Sequence, residues 1–266
     1  MSISDKLREL KNNGAKATVP YICCGDPNLD FSEELALRLA AEGAALIELG
    51  LPYSDPVADG PTIQRAAERA LRNKVRLSDL LDLAERLNKR ISTPLIIMSY
   101  YNPIYIMGEE SFAKACGASG VAGVIIPDLP VEEAERLQGY LTKEGVELIF
   151  LLSPSAPEER IDKIAAQSGG FIYCLGIDGV TGARTELSRE IEGLVAKLRQ
   201  KTSLPLLVGF GVSNREMAES LKCFADGVIV GSALIQTLEQ AFAAGVSEEQ
   251  ALEEAVDFFR EIKKEG

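Results

Sequence analysis

The chain has 266 residues, 46% of them hydrophobic, and a formal net charge of −12, because 40 acidic side chains outnumber 28 basic ones. This length suits one large domain, and the apolar fraction is ample for a full core. The acidic balance argues against nucleic acid as a partner. It does not argue against a phosphorylated metabolite, because backbone amides at a helix N-terminus bind phosphate without cationic side chains.

The residue types that are missing narrow the chemistry further. The chain contains no histidine, which excludes Ser–His–Asp and Cys–His catalysis and histidine metal ligands. Its five cysteines lack the spacing of a disulfide framework or a zinc site, which favours reduced thiols. No apolar stretch reaches the roughly 18–20 residues of a membrane span, and the N-terminus lacks a signal-peptide core. We therefore expect a soluble cytoplasmic protein without a membrane partner.

Apolar runs alternate with amphipathic segments along the chain. The runs predict eight β-strands, at residues 17–22, 46–49, 95–99, 123–126, 148–152, 171–174, 206–208 and 228–230. Between them, apolar residues at three- and four-residue spacing predict helices at 31–42, 78–90, 132–144 and 158–167. Asp30 and Ser78 are typical capping residues, and they predict where the first two of these helices begin.

Strands that are each followed by a helix predict a parallel barrel with an outer ring of helices. We expect one (β/α)8 TIM barrel over residues 1–266, since such barrels take about 250 residues. An extra N-terminal helix, Ile3–Asn12, is predicted to close the bottom of the barrel. A doubly wound sheet is disfavoured because it usually has fewer strands and because no Gly-x-Gly-x-x-Gly turn follows the first strand.

The second strand contains an acid, Glu48, among apolar residues. Such an acid is costly unless something uses or satisfies it, and burial would raise its pKa and keep a proton available near neutral pH. The loop that follows is longer than the usual ~2–6 residues and ends at Pro61, which suits the first position of a helix. It contains Asp59, which on a polar loop can stay ionised opposite a developing cation. We predict that Glu48 and Asp59 are catalytic; a salt bridge at the barrel rim and an ordinary Asp-Gly turn are the structural alternatives.

Glycines follow the seventh and eighth strands, in Gly209-Phe-Gly211 and Gly231-Ser232. In barrels of this kind these positions bind phosphate, and the alternative is a pair of tight turns. The glycine-rich segment 176–182 predicts a mobile lid that Thr181 and Arg184 could latch, or else a surface loop. Tyr173, at the end of the sixth strand, can line a pocket or belong to the core.

Metal and thiol chemistry have weaker support. A magnesium site built from Glu48, Asp59 and Asp128 stays open, but nothing in the sequence demands it. A lysine Schiff base is disfavoured because no lysine ends a predicted strand. Cys23 and Cys24 are expected to pack as small side chains, since no histidine is present to activate a thiolate.

The segment from Glu48 to Pro61, Glu-Leu-Gly-Leu-Pro-Tyr-Ser-Asp-Pro-Val-Ala-Asp-Gly-Pro, resembles the signature of the tryptophan synthase alpha subunit family. Similar segments lie along essentially the whole chain: Val19-Pro-Tyr21, Gly25-Asp-Pro27, Pro127-Asp-Leu-Pro130, Gly179-Val-Thr-Gly182, Gly209-Phe-Gly211 and Val230-Gly-Ser232. The resemblance implies a lyase of tryptophan biosynthesis that cleaves indole-3-glycerol phosphate into indole and glyceraldehyde 3-phosphate.

The resemblance also implies a role for each site residue. Glu48 would protonate indole C3, and Glu48 or a group acting with it would then accept the glycerol hydroxyl proton. Asp59 would bond the indole N–H, and Thr181 would bond Asp59 in the closed lid. The implied substrate-binding residues are Tyr21 against the indole, Tyr173 beside Glu48, Thr181, and, for the phosphate, Gly182, Gly211, Gly231 and Ser232.

The family resemblance implies a partner as well. A beta subunit that carries pyridoxal phosphate would bind this chain in an alpha2beta2 tetramer, and the alpha chain would need neither a metal nor a cofactor of its own. Asp55 and Pro56 in the loop after the second strand would contribute to that interface. Cys23-Cys24 and Ile177-Asp178 depart from the family pattern, which affects the expected pocket floor and lid.

Two other functions stay open at this stage. One is another phosphate-binding barrel enzyme, an isomerase or epimerase of sugar phosphates, which would need a carboxylate base beside a carbonyl group. The other is a non-catalytic barrel that binds and activates a partner subunit. Assays with and without a beta subunit separate these alternatives.

Overall fold

The structure, a computed structural model, describes residues 2–176, 184–209 and 211–264, and for 184–188 it describes the backbone alone. Parallel strands form its central sheet. Within the described residues they are β1 Ala17–Cys23, β2 Ile47–Gly50, β3 Leu95–Met98, β4 Gly123–Ile125, β5 Glu147–Ile149, β6 Leu151–Leu152, β7 Ile172–Leu175, β8 Leu206–Gly209 and β9 Gly227–Val230. They pair in the order β5-β4-β3-β2-β1-β9-β8-β7-β6.

The predicted fifth strand is split into β5 and β6 by a single residue, Phe150. Its N–H lies 3.3 Å from the hydroxyl of Ser168 instead of pairing with a strand, while its carbonyl accepts the Tyr173 N–H at 3.1 Å. β5 pairs with β4 and β6 pairs with β7, so one continuous segment joins the two edges of the sheet. The sheet therefore nearly closes, and the predicted (β/α)8 barrel is confirmed.

Helices surround the strands. They are α1 Ile3–Asn12, α2 Leu29–Ala41, α3 Pro61–Arg72, α4 Leu77–Asn88, α5 Tyr101–Met107, α6 Glu109–Ala118, α7 Glu135–Lys143, α8 Glu158–Gln167, α9 Arg184–Arg199, α10 Arg215–Lys222, α11 Ser232–Ala243 and α12 Glu248–Lys263, with a short 3-10 helix at Val131–Glu133. None of the helices in the described part of the chain combines the length and apolarity that crossing a membrane requires.

The starts of two helices differ from the prediction. α2 is capped by Asn28, whose side chain accepts the Phe31 N–H at 2.7 Å, and Asp30 lies inside the first turn. α4 begins at Leu77, where the Asp79 carboxylate accepts the Arg76 N–H at 2.8 Å, so Ser78 is not the cap. Both helices therefore begin before the predicted cap, and other side chains accept the backbone N–H groups at their starts.

The core has two layers. Inward-facing side chains fill the barrel, and α1 closes its lower end with Ile3 and Leu7. The Glu147 carboxylate accepts the Ile3 N–H at 3.2 Å and the Ser4 hydroxyl at 3.0 Å, which anchors the start of α1 to β5. A larger apolar layer lies between the strands and the outer helices. The upper end, where the strands terminate at their carboxyl ends, is left for a site.

Candidate active site

A cavity of about 310 Å³ lies at the carboxyl ends of the strands. Side chains and backbone from several strand ends and from the loops after them line it. The lining residues are Tyr21, Glu48, Val57, Ala58, Asp59, Gly60, Ile63, Met98, Ile125, Leu151, Tyr173, Leu175, Gly176, Gly209, Gly211, Val212, Ile229, Gly231, Ser232 and Ala233. The cavity thus contains every predicted catalytic and substrate-binding residue that the structure describes.

Glu48 lies on β2, in register with Tyr21 on β1 and Ile96 on β3. It is 1% exposed, and the described residues provide no hydrogen-bond partner for its Oε2. Burial, followed by the nearby Asp59 charge, raises the pKa of Glu48 to about 8. The carboxyl is therefore mostly protonated at neutral pH, in agreement with its position in an apolar strand.

Asp59 lines the cavity from the loop that joins β2 to α3. Its backbone carbonyl accepts the side-chain amide of Gln64 at 2.8 Å, which holds it against the first turn of α3. Burial raises the pKa of Asp59, while a hydrogen bond from the Tyr100 hydroxyl lowers it, and the net direction is upward. The sequence predicted a carboxylate that can stay ionised on a polar loop; the structure buries part of it, because this end of the loop lines the cavity.

Tyr100, which precedes α5, is a candidate site residue that the sequence did not single out. Its hydroxyl bonds the Asp59 carboxylate and accepts the Ala58 N–H at 3.0 Å. Its ring stacks on Tyr53 with the centroids 4.9 Å apart. In the sequence, the one feature that could have indicated Tyr100 is its position directly after the predicted third strand. The distant loop that it contacts could not be identified from the sequence.

Two glycines make room for the tyrosines of the cavity. A Cβ atom on Gly50 would lie 2.2 Å from the hydroxyl oxygen of Tyr21, and one on Gly209 would lie 2.2 Å from that of Tyr173. Because real Cβ atoms do not approach so closely, both rings need glycine beneath them. Burial and then the charges of Glu48 and Asp59 raise the pKa of Tyr173, which indicates that its phenol lies close to both carboxyl groups.

Gly211, Gly231 and Ser232 meet at another part of the cavity, and we call them the phosphate cradle. Ser232 begins α11, and Gly231 precedes it at the cap position. Gly211 has a φ of +44°, a left-handed conformation that favours glycine. The free N–H groups of the first turn of a helix, together with its dipole, favour an anion there.

The other predicted residues fall into two groups. Thr181, Gly182 and the pair Ile177-Asp178 lie outside the described residues, as does most of the predicted lid. Asp55 and Pro56 lie on the loop outside the cavity; Asp55 is exposed and accepts the Ser54 hydroxyl at 2.5 Å.

The remaining candidates of the sequence do not line the cavity either. Cys23 and Cys24 are buried, and burial raises the pKa of both thiols, which disfavours a thiolate nucleophile. Asp128 accepts the backbone N–H of Tyr101 at 2.8 Å. Within the described ranges, no group of three or more Cys, Asp or Glu side chains could hold a metal ion.

Comparison with known proteins identifies similar chains. The family model described as "Tryptophan synthase alpha chain" matches residues 7–265. The tryptophan synthase alpha chain of Methanocaldococcus jannaschii is 44% identical over 241 residues, which cover 90% of this chain and 85% of the relative. That of a Picosynechococcus species is 48% identical over 238 residues, covering 89% and 90%. The crystal structure of tryptophan synthase subunit alpha from Legionella pneumophila superposes with a TM-score of 0.90 at 36% identity, covering 99% of this chain and 97% of that one.

Proposed function

Since the chain belongs to the tryptophan synthase alpha chain family, whose members are lyases that cleave indole-3-glycerol phosphate, we propose that Glu48 and Asp59 carry out this cleavage. The reaction is a retro-aldol cleavage that releases indole and glyceraldehyde 3-phosphate. One observation supports the assignment above others: both carboxyl groups line the same cavity, and Glu48 is buried in it with a pKa of about 8. Two carboxyl groups in different environments can divide the acid and electrostatic roles.

Glu48 acts as the general acid in this proposal. Its protonated carboxyl transfers a proton to C3 of the indole ring. The bond from C3 to the glycerol carbon then breaks, and its electron pair restores the aromatic ring. The hydroxyl on that glycerol carbon becomes the aldehyde carbonyl as it loses its proton. The Glu48 carboxylate, or a group acting with it, accepts this proton, which returns the acid to its starting state.

Asp59 stabilises the positive charge that develops on the indole nitrogen once C3 is protonated. A fixed carboxylate beside the N–H favours that cation in a site with little water. The Tyr100 hydroxyl lowers the pKa of Asp59 against the effect of burial, so it favours the ionised form that this role requires. The same hydroxyl holds the adjacent Ala58 N–H. We therefore assign Tyr100 as a positioning residue for Asp59.

The substrate spans two chemically different parts of the cavity. Its indole ring suits the apolar lining contributed by Tyr21, Met98, Ile125, Leu151 and Ile229. Tyr21 packs against the ring, and Tyr173 orients Glu48. At the other end the phosphate rests on backbone N–H groups of the phosphate cradle, with the Ser232 hydroxyl as a further donor. From the family pattern, Thr181 and Gly182 contribute to the closed site, although both lie outside the described residues.

The family's alpha chains work with a beta subunit, and pyridoxal phosphate belongs to that subunit rather than to the alpha chain. We propose that the beta subunit docks beside the cavity mouth of this chain in an alpha2beta2 tetramer. Asp55 and Pro56 lie on the loop there. The next residue, Val57, is 82% exposed, and Tyr105 and Ile106 on α5 are 65% and 76% exposed. The bond from the Ala58 N–H to Tyr100 brings the loop and the start of α5 together, and we take these exposed apolar side chains as the contact area.

The cleavage is tested by measuring indole release from indole-3-glycerol phosphate, with and without a beta subunit. Glu48→Gln should lower turnover by about 10²–10⁴-fold while the substrate still binds. Glu147→Gln is the matched control, because that carboxyl also lies on a strand and has a raised pKa, but it is only partly buried and lies at the lower end of the barrel. A wild-type rate in Glu48→Gln would remove Glu48 as the acid. No release by the wild-type chain in any mixture would leave a phosphate-binding barrel with another substrate.

The docking surface is tested separately, by titrating the chain with a beta subunit in a calorimeter. Ile106→Lys places a charge on the exposed apolar area and should weaken binding by about 10-fold or more. Asn13→Lys adds the same charge after α1, at the lower end of the barrel, and should bind normally. Equal affinities for the two variants would show that the beta subunit binds elsewhere.

A further inference from the structure

Two neighbouring helices begin at different parts of the cavity. α3 begins at Pro61, two residues after Asp59, and Gln64 in its first turn binds the Asp59 carbonyl at 2.8 Å. α11 begins at Ser232 in the phosphate cradle. A shift of α3 along α11 would therefore change the distance between Asp59 and the bound phosphate.

The fully buried side chains of α3 are small. They are Ala66, Ala67 and Ala70, which cluster with Cys23 and with Ile235 of α11, and the partly buried Ile63 packs against them. Alanine methyl groups form shallow ridges, and helices are held in register by ridges that fit into grooves. Polar interactions therefore add to this packing in fixing the position of α3, and one of them is the bond from the Asn73 side-chain amide to the Gly25 carbonyl at 2.9 Å.

Ion pairs on the outer side of the two helices are the others. Arg65 on α3 donates Nε and Nη2 to the two carboxylate oxygens of Glu239 on α11, both at 2.7 Å. Arg69, one turn further along α3, donates Nη1 to Glu239 at 3.1 Å. It also donates Nε and Nη2 to the two oxygens of Asp26, at 2.8 and 2.7 Å. Bidentate guanidinium–carboxylate pairs have a fixed planar geometry, so they define a distance.

Asp26 connects this network to the barrel. Asp26 lies in the loop after β1 and is 4% exposed, so Arg69 ties α3 to a fixed point. The hydrogen bonds that Arg65 donates are the largest cause that lowers the pKa of Glu239, to about 2, so this carboxylate stays ionised at every pH used in an assay. The Arg65–Glu239 pair is partly exposed, and such pairs add little to stability, so removing it should not unfold the chain.

We infer that Glu239, Arg65 and Arg69 are positioning residues that fix the distance between Asp59 and the phosphate cradle. The inference rests on the proposed function, because it concerns how one substrate is held at both of its ends. Its consequence is specific. Losing the network should impair a ligand that spans both ends, and should spare ligands that occupy one end alone.

Glu239→Gln tests this in the full chain with a beta subunit present. Because a small misplacement of reacting groups is costly, kcat/KM for indole-3-glycerol phosphate should fall by about 10-fold or more. The inhibition constants of indole and of inorganic phosphate, which each fill one end, should not change. The pH at which activity declines should change little, because burial is the largest cause of the raised Glu48 pKa and β2 stays paired with β1 and β3.

Glu42→Gln is the matched control. The Glu42 carboxylate also accepts hydrogen bonds from two nitrogens of one arginine: Nε of Arg260 donates at 3.0 Å and Nη2 at 2.7 Å. The side chains of the two pairs are similarly exposed, 47% and 29% for Arg260 and Glu42 against 48% and 25% for Arg65 and Glu239. The Glu42 pair joins α12 to the end of α2, away from the cavity, so this variant should keep full activity.

Arg65→Lys separates geometry from charge, because lysine keeps the charge and loses the planar fork. A loss of kcat/KM in both Arg65→Lys and Glu239→Gln, with one-end ligands unaffected, supports the inference. Normal kcat/KM in either variant overturns it, and so does an equal loss of affinity for phosphate alone. Absence of cleavage in the wild-type chain would instead refute the proposed function, and the inference would fall with it.

Discussion

Glu48→Gln should stabilise the fold, and the gain should grow with pH. Burial and the Asp59 charge raise the pKa of Glu48 from its ordinary 4.5 to about 8 in the folded chain. In the unfolded chain the carboxyl returns to its ordinary value, so between these two pH values the folded state binds more protons than the unfolded state. The unfolding free energy contributed by this group therefore falls as the pH rises from about 4.5, and it levels off above about 8.

The two pKa values set the magnitude. The difference between about 8 and 4.5 is about 3.5 units, and at about 1.4 kcal/mol per unit it bounds the destabilisation at about 5 kcal/mol. About 4 kcal/mol of this destabilisation develops between pH 5 and pH 9. Glutamine has nearly the same shape and is neutral at every pH, so the variant lacks this pH-dependent contribution.

Urea unfolding at pH 5, 7 and 9 measures the effect as the difference in unfolding free energy between Glu48→Gln and the wild type. Taking the difference removes the contributions of all other titrating groups. Glu42→Gln is a suitable control, because Arg260 lowers the pKa of Glu42 and its carboxylate is ionised in both states above pH 5. Its difference from the wild type should be constant. A constant difference for Glu48→Gln as well would refute a buried, protonated acid.

Three further outcomes are expected. The rate of indole release should decline above about pH 8, as the Glu48 carboxyl loses its proton. A decline that begins at a different pH would contradict the assignment of Glu48 as the acid. Tyr100→Phe should lower kcat by about 10-fold, because Asp59 loses the hydroxyl that holds it, whereas Tyr140→Phe on α7, outside the cavity, should turn over normally. Gly209→Ala should displace the Tyr173 ring, whose hydroxyl would lie 2.2 Å from the new Cβ, and turnover should drop by about 10²-fold. Gly139→Ala is its control, since nothing lies within 4 Å of a Cβ there. Equal turnover in the two variants would show that the contact between Gly209 and Tyr173 does not affect catalysis.

The barrel could be predicted from the sequence because its signal is local and repeated. Each apolar run formed strand structure, with ends displaced by at most one residue. The break in the fifth run could not be predicted, because it depends on a hydrogen bond from Phe150 to Ser168 across the fold. The cap of α2 was wrong for a similar reason. Asn28 and Asp30 both suit a cap, and the path of the loop decides which of them sits at the end of the helix.

The site was predictable only in part. Glu48 was identifiable because an acid inside an apolar strand is costly unless something uses or satisfies it. Asp59 was identified from its place in the family signature. The bond from Tyr100 to the loop joins residues 42 positions apart in the chain, and no local pattern announces it. The need for glycine under Tyr173 likewise depends on the register between β7 and β8, in which Leu175 is opposite Gly209. Contacts between distant segments therefore account for what the sequence did not reveal.

Acid strength and substrate alignment depend on different parts of this molecule. Glu48 lies on a strand that is hydrogen-bonded on both sides, to β1 and to β3, so its burial is fixed by the barrel itself. Asp59 instead lies two residues before α3, and Gly231 and Ser232 of the phosphate cradle lie at the start of α11. A change in helix position can alter how the substrate is aligned while burial, the largest cause of the raised Glu48 pKa, is kept. In the proposed enzyme, a partner that contacts the loop before α3 could therefore raise turnover without changing the proton donor.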